Sequence, residues 1–253
     1  RILAAKSFPR RDLSSFKVKQ CTGAPLAPVL KREIAQKWPG RFLEVYGLTE
    51  GGCTCILDVS AFPDKAHTVG RPAAGNDIRI IDEKGAFVPA GERGEIVGRS
   101  ATMMSGYHRN EEANAAFYWR DAEGVLYHRT GDIGMFDDDG FLLLVDRKKD
   151  LIISGGFNIY ASDLEEKLLE HPAVAEAAVI AMPSEKWGET PLGLVVQKEG
   201  AKIDTSELLA WVNARLGKTQ RLAAVEIRAE LPRSNVGKIL KQELRKPYWE
   251  GRK

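Results

Sequence analysis

The chain has 253 residues, of which 43% are hydrophobic and 28% charged, and its formal net charge is +2. This composition is typical of a globular protein, and the length suffices for one large or two ordinary domains. A charge so close to neutrality gives no electrostatic basis for binding nucleic acid or a membrane surface. No apolar stretch is long enough to predict a transmembrane segment, and the first residues contain no apolar signal region.

Three cysteines, Cys21, Cys53 and Cys55, form an odd set. Their number argues against a disulfide framework and favours a reducing compartment, so we expect a cytoplasmic location. Cys53 and Cys55 make a C-x-C pair, but no second pair and no histidine at metal-ligand spacing accompany it. We therefore interpret them as two small residues on a strand rather than as metal ligands.

The first part of the chain alternates helix and strand. The stretch "APVLKREIAQKWPG" predicts a helix that stops at Pro-Gly, and "RFLEVYG" predicts a short strand that ends in a loop at Gly47. From residue 69 to about 146, short strands such as "DIRIIDEKG", "GEIVG" and "FLLLVDR" predict a small β-barrel subdomain, interrupted by one helix in "NEEANAAFYW".

The last hundred or so residues have a different texture. A helix in "YASDLEEKLLEHP", with a capping box from Ser162 to Glu165, is followed by strands, a second helix and a last helix from Lys238. We predict a mixed α/β (α+β) fold with a first domain at 1–149 and a compact C-terminal domain at 150–253. The expected boundary lies in "VDRKKDLIISGG".

The stretch "YGLTEGG" lies where a strand gives way to a loop, which is the usual place for ligand contacts in an α/β protein. Tyr46 offers a flat face for a base, Thr49 a hydroxyl for a phosphate and Glu50 a hard oxygen ligand for Mg²⁺. Taken alone the motif is weak, because a Thr-Glu pair in a turn is common.

Two further stretches carry groups that suit a nucleotide. In "YHRTGDIG", Asp132 follows a strand in a glycine turn and could accept hydrogen bonds from two ribose hydroxyls, or could simply be a turn residue. In "DRKKDLIISGG", Arg147 could hold ribose or phosphate oxygens, and Gly155 and Gly156 would let a ligand pass close to the backbone. A charged linker is the alternative for this second stretch.

Five further stretches accompany these three along the chain: "TGAPL", "GEIVG", "MSGYHRNEEA", "EKWGE" and "PRSNVGK". The set resembles the adenylate-forming superfamily of acyl-CoA synthetases, luciferases and peptide-synthetase adenylation domains. The resemblance implies the remainder of a large AMP-binding domain with its barrel subdomain, followed by a complete C-terminal lid domain. The phosphate loop and pocket histidine motif that the family carries upstream of "TGAPL" do not appear here. We therefore expect the second half of such an enzyme, inactive by itself.

The resemblance also implies roles for single residues. Lys238 would counter charge between the substrate carboxylate and the α-phosphate of ATP, Thr49 would contact phosphate and Glu50 would hold Mg²⁺. Nucleotide contacts are implied for Gly23, Ala24, Tyr46, Asp132 and Arg147. Lys149 occupies the hinge position about which the lid domain would rotate between the two half-reactions.

A second set of roles concerns coenzyme A. Gly155 and Gly156 would line the pantetheine tunnel, and Trp187 would pack against coenzyme A, although an ordinary half-buried tryptophan is an equal alternative. Arg221 would meet the phosphates of coenzyme A, in a segment where Thr219 and Leu222 replace the aromatic residue and the proline of the family pattern.

The function implied is an ATP-dependent fatty or aryl acid:CoA ligase that uses Mg²⁺ and coenzyme A and releases AMP and pyrophosphate. The alternatives are an adenylation domain that loads a carrier protein, a non-catalytic binding module without the phosphate loop and, less favoured, luciferase chemistry. The spacing from Pro232 to Lys238 further implies control by a lysine acetyltransferase acting on Lys238. The identity of the acid and the oligomeric state stay open.

Overall fold

The structure, a computed structural model, describes residues 2–235 and 237–250. The chain divides into two units, Arg1–Leu144 and Val145–Lys253, each with its own core. This division lies close to the boundary expected from the sequence. The assignment of 1–149 to a large AMP-binding domain and of 150–253 to a lid domain stays a prediction.

The first sheet of unit 1 has the strand order β1-β2-β3-β4, with β1 parallel to β2 and the other pairs antiparallel. Its strands are β1 (Val18–Thr22), β2 (Arg41–Gly47), β3 (Thr54–Asp58) and β4 (Arg71–Pro72). Helix α1 (Pro28–Lys37) connects β1 to β2 and begins at a proline, whose missing N–H costs nothing in the first turn. A crossover of this kind is what two parallel neighbouring strands require.

The second sheet of unit 1 is the half-barrel that the short glycine-bounded strands predict. Its order is β5-β6-β8-β7, with β9 also paired to β8. The elements are β5 (Asp77–Ile81), β6 (Gly94–Arg99), α2 (Glu111–Phe117), β7 (Tyr118–Arg120), β8 (Leu126–Phe136) and β9 (Leu142–Arg147). Asn110 caps α2 by accepting a hydrogen bond from the Ala113 N–H at 3.1 Å.

One core cluster joins the two sheets of unit 1. Cys53 and Cys55 are fully buried in it, together with Ile78, Ile96 and Leu142. Both thiols are free, and burial raises the pKa of Cys55 to about 12 and that of Cys53 well above its ordinary value. The two cysteines therefore pack as small apolar residues at the start of β3.

Unit 2 is built on one five-stranded sheet. Four strands follow the order β11-β10-β13-β12, and the fifth strand, β14, pairs with β13 in parallel. The elements are β10 (Ile152–Ser154), β11 (Phe157–Ile159), α3 (Ala161–Leu169), β12 (Val174–Ser184), β13 (Gly188–Gln197), α4 (Thr205–Asn213), β14 (Ala224–Ile227) and α5 (Lys241–Trp249).

The long hairpin of β12 and β13 buries both of its faces. Val179 lies in a cluster with Leu164 of α3 and Leu208 of α4. Ile180, the next residue, lies in a separate cluster against which Leu244 of α5 packs. Because successive strand residues point to opposite faces, α3 and α4 cover one face of the sheet and α5 the other.

The predicted mixed α/β fold class is confirmed, but two local predictions are wrong. Tyr160, not a serine, precedes α3, and no side chain caps that helix. Glu165 accepts instead from the Val179 N–H at 2.7 Å and pairs with Lys241 at 2.7 Å. The last helix begins at Lys241 rather than at Lys238, because the residues before it form a hairpin. Among the helices of the described residues, none has the length and apolarity needed to cross a membrane.

A buried ion pair fixes α1 to the first sheet. Lys31 and Glu44 are 3% and 5% exposed, and their charged ends are in direct contact. The Lys31 ammonium also donates to the Thr68 carbonyl at 3.0 Å. Burial raises the pKa of Glu44, while Lys31 opposes that rise. Such a pair costs desolvation to form, yet the loss of one partner is costly because it leaves the other charge buried alone.

We expect Lys31→Met to lower the free energy of unfolding by about 3–5 kcal/mol, because Glu44 loses its buried counter-charge. The pKa of Glu44 should rise further, so the folded state binds this proton more tightly than the unfolded state does. The loss should therefore be larger at about pH 8 than at about pH 5, as measured by urea unfolding. The double variant Lys31→Met/Glu44→Leu should recover most of it, and an equal loss at both pH values would contradict this account.

Candidate functional site

The carboxyl ends of β1 and β2 place two of the sequence motifs side by side. The parallel register pairs Thr22 with Val45, so the residues that follow β1 lie beside the end of β2. Gly23 and Ala24 directly follow β1, and Gly23 has φ +88, which favours glycine. Tyr46 is the penultimate residue of β2. The edge formed by these carboxyl ends is where α/β proteins bind ligands.

The turn after β2 is packed so closely that only glycine fits at two positions. Gly51 and Gly52 have φ +71 and +78. A β-carbon on Gly51 would lie 2.0 Å from the Thr102 carbonyl oxygen, and one on Gly52 would lie 2.5 Å from Nδ1 of His128. The Glu50 carbonyl accepts from the Met104 N–H at 2.7 Å. The backbone of Glu50 is therefore held against the segment around 102–104.

His128 forms the floor of this turn. Its imidazole is fully buried and stacks on Phe117, with ring centroids 4.9 Å apart and an interplanar angle of 15°. Neither ring nitrogen has a geometrically acceptable hydrogen-bond partner among the described residues. Burial lowers the pKa of His128, so the ring is neutral near pH 7 and serves as a flat packing surface.

The Glu50 side chain is half-buried and is fixed by one hydrogen bond. The Tyr107 hydroxyl donates to Oε1 of Glu50 at 2.7 Å. Thr49, next to it, is exposed. The described residues contain no group of three or more His, Cys, Asp or Glu residues that could hold a metal by themselves. One carboxylate fits Mg²⁺ only if phosphate oxygens and water supply the other ligands, and this is the way Mg²⁺ commonly binds nucleotides.

Asp132 lies in a β-bulge and not, as the sequence suggested, in a turn after a strand. In the pairing of β6 with β8, Val97 faces Arg129 while Glu95 faces Ile133, so residues 130–132 all lie opposite Ile96. Gly131 has φ +70, and the Thr130 hydroxyl donates to the Ile96 carbonyl at 2.9 Å. The bulge bends the strand locally and turns Asp132 out of the regular alternation.

The bulge brings Asp132 to the first sheet. The Tyr46 hydroxyl donates to Oδ2 of Asp132 at 2.8 Å, although the two residues are 86 positions apart. Asp132 is only 7% exposed. Burial, then Cys53 and Asp132, raise the pKa of Tyr46 well above its ordinary value, so the phenol stays a donor. This hydrogen bond fixes the orientation of the carboxylate, whose two oxygens are of the acceptor type that suits hydroxyl groups.

In unit 2, Lys238 belongs to a short hairpin that follows the sheet. Arg233 and Ile239 form an antiparallel bridge, and the Ser234 N–H donates to the Lys238 carbonyl at 2.8 Å. Arg233 clamps the hairpin by donating to the Gly237 carbonyl at 2.9 Å and to Glu176 at 2.6 Å. Lys238 itself is half-buried, and its backbone N–H donates to the Ser234 hydroxyl at 3.2 Å.

Arg147 is the last residue of β9, and Lys149 follows it; both lie within the first residues of unit 2. Both are exposed, and Lys149 is in a single 3₁₀ turn, Lys148–Asp150. The Lys149 carbonyl accepts from the Arg245 guanidinium at 3.0 Å. Burial lowers the pKa of Lys241, but the carboxylates of Glu165 and Asp146 outweigh it and leave that pKa raised.

The residues implied for coenzyme A come together within unit 2. Gly155 and Gly156 form the two-residue turn between β10 and β11, both with positive φ. The Gly155 N–H donates to the Trp187 carbonyl at 2.9 Å, and a β-carbon on Gly155 would lie 2.7 Å from the indole ring. Trp187 is 50% exposed at the tip of the β12–β13 hairpin. Arg221 is exposed and follows a 3₁₀ turn that packs against β11.

The sequence-predicted residues thus fall into two groups. Unit 1 brings together Gly23, Ala24, Tyr46, Thr49, Glu50 and Asp132; unit 2 carries Arg147, Lys149, Gly155, Gly156, Trp187, Arg221 and Lys238. Sequence reasoning missed Tyr107 and His128 as supports of the Glu50 turn. Tyr107 lies in "MSGYHRNEEA", a stretch that contributes to the family resemblance without implying a role for its tyrosine.

Comparison with known families finds two matches. Residues 1–108 match the family described as AMP-binding enzyme, and residues 163–238 match the AMP-binding enzyme C-terminal domain. The first match contains the Tyr46 to Glu50 motif, and the second ends at Lys238.

Individual proteins match along nearly the whole chain. A feruloyl-CoA synthase from Amycolatopsis is 38% identical over 98% of this chain and 49% of its own length. A long-chain-fatty-acid–CoA ligase from Bacillus subtilis is 38% identical over 92% of this chain and 41% of its own. The crystal structure of ATP-bound MatB from Rhodopseudomonas palustris is similar with a TM-score of 0.80 and 32% identity, over 92% of this chain and 46% of that one. The chain spans about half the length of the curated relatives it matches.

The close packing of the Glu50 turn gives a stability prediction with a matched control. Gly52 and Gly75 have almost the same φ, +78 and +79, but a β-carbon on Gly75 meets nothing within 4 Å. Gly75→Ala should cost about 1–2 kcal/mol of unfolding free energy, because alanine is strained at positive φ. Gly52→Ala should cost clearly more in denaturant unfolding, since it also displaces His128. Equal losses would show that the turn has room to relax.

Proposed function

Because this chain belongs to the AMP-binding enzyme family, we propose that it is part of an ATP-dependent ligase that joins a carboxylic acid to coenzyme A through an acyl-adenylate. The proposal concerns the whole enzyme, of which this chain would be the C-terminal half and inactive alone. The observation that carries it is the grouping of a ribose acceptor with a metal-ligand carboxylate, Asp132 with Tyr46 and Glu50, at one end of a parallel strand pair.

In the proposed first step, a carboxylate oxygen of the acid attacks the α-phosphorus of ATP. The bond from this phosphorus to the bridging oxygen breaks, and pyrophosphate leaves. Asp132, held by Tyr46, accepts the ribose hydroxyls, and Gly23 and Ala24 let the adenine lie close to the backbone. Glu50 would hold Mg²⁺, which supplies positive charge to the phosphates, and Thr49 donates its hydroxyl to a phosphate oxygen.

Lys238 is proposed to stabilise the transition state of this step. Negative charge builds up on the α-phosphate while a second anion, the carboxylate, approaches it. A lysine presented by a hairpin clamped through Arg233 loses little freedom when it meets that charge. Arg147 adds a cation for nucleotide oxygens, and Lys149 is proposed as the hinge.

In the proposed second step, the sulfur of coenzyme A attacks the acyl carbon of the adenylate, the thiol proton is lost and AMP leaves. The Gly155–Gly156 turn offers backbone without side chains beside the exposed face of Trp187, and this suits a narrow pantetheine chain. Arg221 is proposed to meet the phosphates of coenzyme A.

Three finer assignments belong to the same proposal. The acid is a fatty or an aryl acid, because a feruloyl-CoA synthase and a long-chain-fatty-acid–CoA ligase match this chain at the same 38% identity. The location is cytoplasmic, supported by three free cysteines in the described residues. Acetylation of Lys238 by a lysine acetyltransferase would remove the cation used for adenylation.

The direct test is thioester formation by the full-length enzyme with ATP and a panel of short, medium, long and aromatic acids. We expect acyl-CoA and AMP to form with free coenzyme A, as measured by chromatography. Product only with a carrier protein as acceptor would favour the carrier-loading alternative. The absence of any acid-dependent pyrophosphate exchange would instead support a non-catalytic binding module.

Lys238→Ala in the full-length enzyme should separate the two steps. We expect pyrophosphate exchange to fall by about 10²–10³-fold, because a cation is lost where charge develops. Thioester formation from a supplied acyl-adenylate should be largely retained. Lys202→Ala, which removes an exposed lysine elsewhere in unit 2, serves as the control and should leave both rates unchanged. Equal loss of both steps in Lys238→Ala would contradict the proposed role.

A further inference from the structure

We infer that Tyr107 is a positioning residue that orients the Glu50 carboxylate toward the metal-bound phosphates. The inference rests on the proposed function, in which Glu50 is the Mg²⁺ ligand. Tyr107 lies 57 positions after Glu50, on the segment between β6 and α2, and its hydroxyl donates to Oε1 at 2.7 Å. This is the one hydrogen bond that the Glu50 side chain makes within the described part of the chain.

The hydrogen bond decides which oxygen of Glu50 is available. With Oε1 engaged by a phenol, Oε2 is left as the acceptor or ligand of the carboxylate. A half-buried glutamate without such a partner would rotate about its last torsion, which has a broad energy minimum. A fixed rotamer lowers the entropy cost of binding a cation, and partners of this kind typically contribute 10–100-fold in metal affinity or activity.

The ring of Tyr107 is held from two directions. The Asn114 amide of α2 accepts from the Tyr107 N–H at 2.7 Å and donates to the Tyr107 carbonyl at 3.0 Å. The phenol ring meets Phe117 edge to face, with centroids 5.7 Å apart. The residue before it, Gly106, has φ +136, and a β-carbon there would lie 3.0 Å from Asn114. These contacts fix the backbone and the ring plane, so the hydroxyl has little freedom to move away from Glu50.

The exposure of Tyr107 favours a role at the site over a role in the core. The residue is 36% exposed, although its ring rests on buried Phe117. A tyrosine needed only for packing would gain more by burying its ring, as Tyr127 does at 4% exposure. Tyr127 makes the same type of bond, from its hydroxyl to Oδ2 of Asp77 at 2.8 Å, and neither residue has a proposed role in ligand binding. It therefore offers a matched control for the loss of a tyrosine–carboxylate hydrogen bond.

The experiment uses the full-length enzyme with Tyr107→Phe, which keeps the ring and removes the hydroxyl. Binding of Mn²⁺ is measured by electron paramagnetic resonance with ATP present and the acid omitted, so that no turnover occurs. The Mg²⁺ requirement of pyrophosphate exchange is measured separately. We expect both the Mn²⁺ dissociation constant and the Mg²⁺ requirement to rise about 10-fold, with the KM for the acid unchanged.

The controls separate this inference from the proposed function. Tyr127→Phe should lower stability without changing Mn²⁺ binding, and in a Glu50→Gln background Tyr107→Phe should have no further effect. Unchanged Mn²⁺ binding in Tyr107→Phe, together with loss of binding in Glu50→Gln, would overturn the inference alone. Unchanged binding in Glu50→Gln would overturn the assignment of Glu50 as metal ligand and thus part of the proposed function. Equal losses in the two tyrosine variants would show that Tyr107 acts only through stability.

Discussion

The Gly51–Gly52 turn is the constraint on which the geometry of unit 1 depends. Neither residue has room for a β-carbon, because the Thr102 carbonyl and the His128 ring lie against the backbone. Because protein interiors are close-packed with few voids, a shift of this backbone would displace the Thr102 segment or the His128 ring. The turn therefore places Glu50 at a fixed point above the half-barrel, and it does so with atoms that carry no charge at neutral pH, the His128 ring included.

Two hydrogen bonds from tyrosine hydroxyls then fix the side-chain carboxylates of Glu50 and Asp132. Tyr107 holds Glu50, and Tyr46 holds Asp132 from the other sheet. In both pairs a phenol whose pKa is raised stays a hydrogen-bond donor, and the carboxylate that accepts from it loses rotational freedom. A phenol suits this task better than a lysine would, because it orients the carboxylate without neutralising the negative charge that a cation or a hydroxyl donor needs.

Much of the architecture could be predicted from the sequence, because glycine-bounded strands and amphipathic helices are local signals. The bulge at Thr130 to Asp132 could not be predicted, because it is defined by the pairing of β8 with β6. The alternation of residue types along β8 does not reveal it. Tyr107 was missed for a similar reason: its partner is 57 residues away, and a lone tyrosine in a loop has no periodicity. Ser162 and Glu165 match a capping pattern, but the Glu165 side chain instead accepts from the Val179 N–H and pairs with Lys241.

The start of the last helix shows how a tertiary bridge can override a helical pattern. Residues 238–240 have no helix-breaking side chain, yet the bridge between Arg233 and Ile239 keeps them extended. The Arg233 guanidinium is shared between the Gly237 carbonyl and Glu176, and the half-buried Lys241 pairs with Glu165 at 2.7 Å. Arg233 and Lys241 thus flank Lys238 in the sequence, and each of them is held in an ion pair with a glutamate. An anion that approaches the hairpin would meet Lys238 as the cation not already engaged by a carboxylate among these three residues. A continuous helix from Lys238 would have lost the bridge and, with it, the separation of Lys238 from the two anchoring side chains.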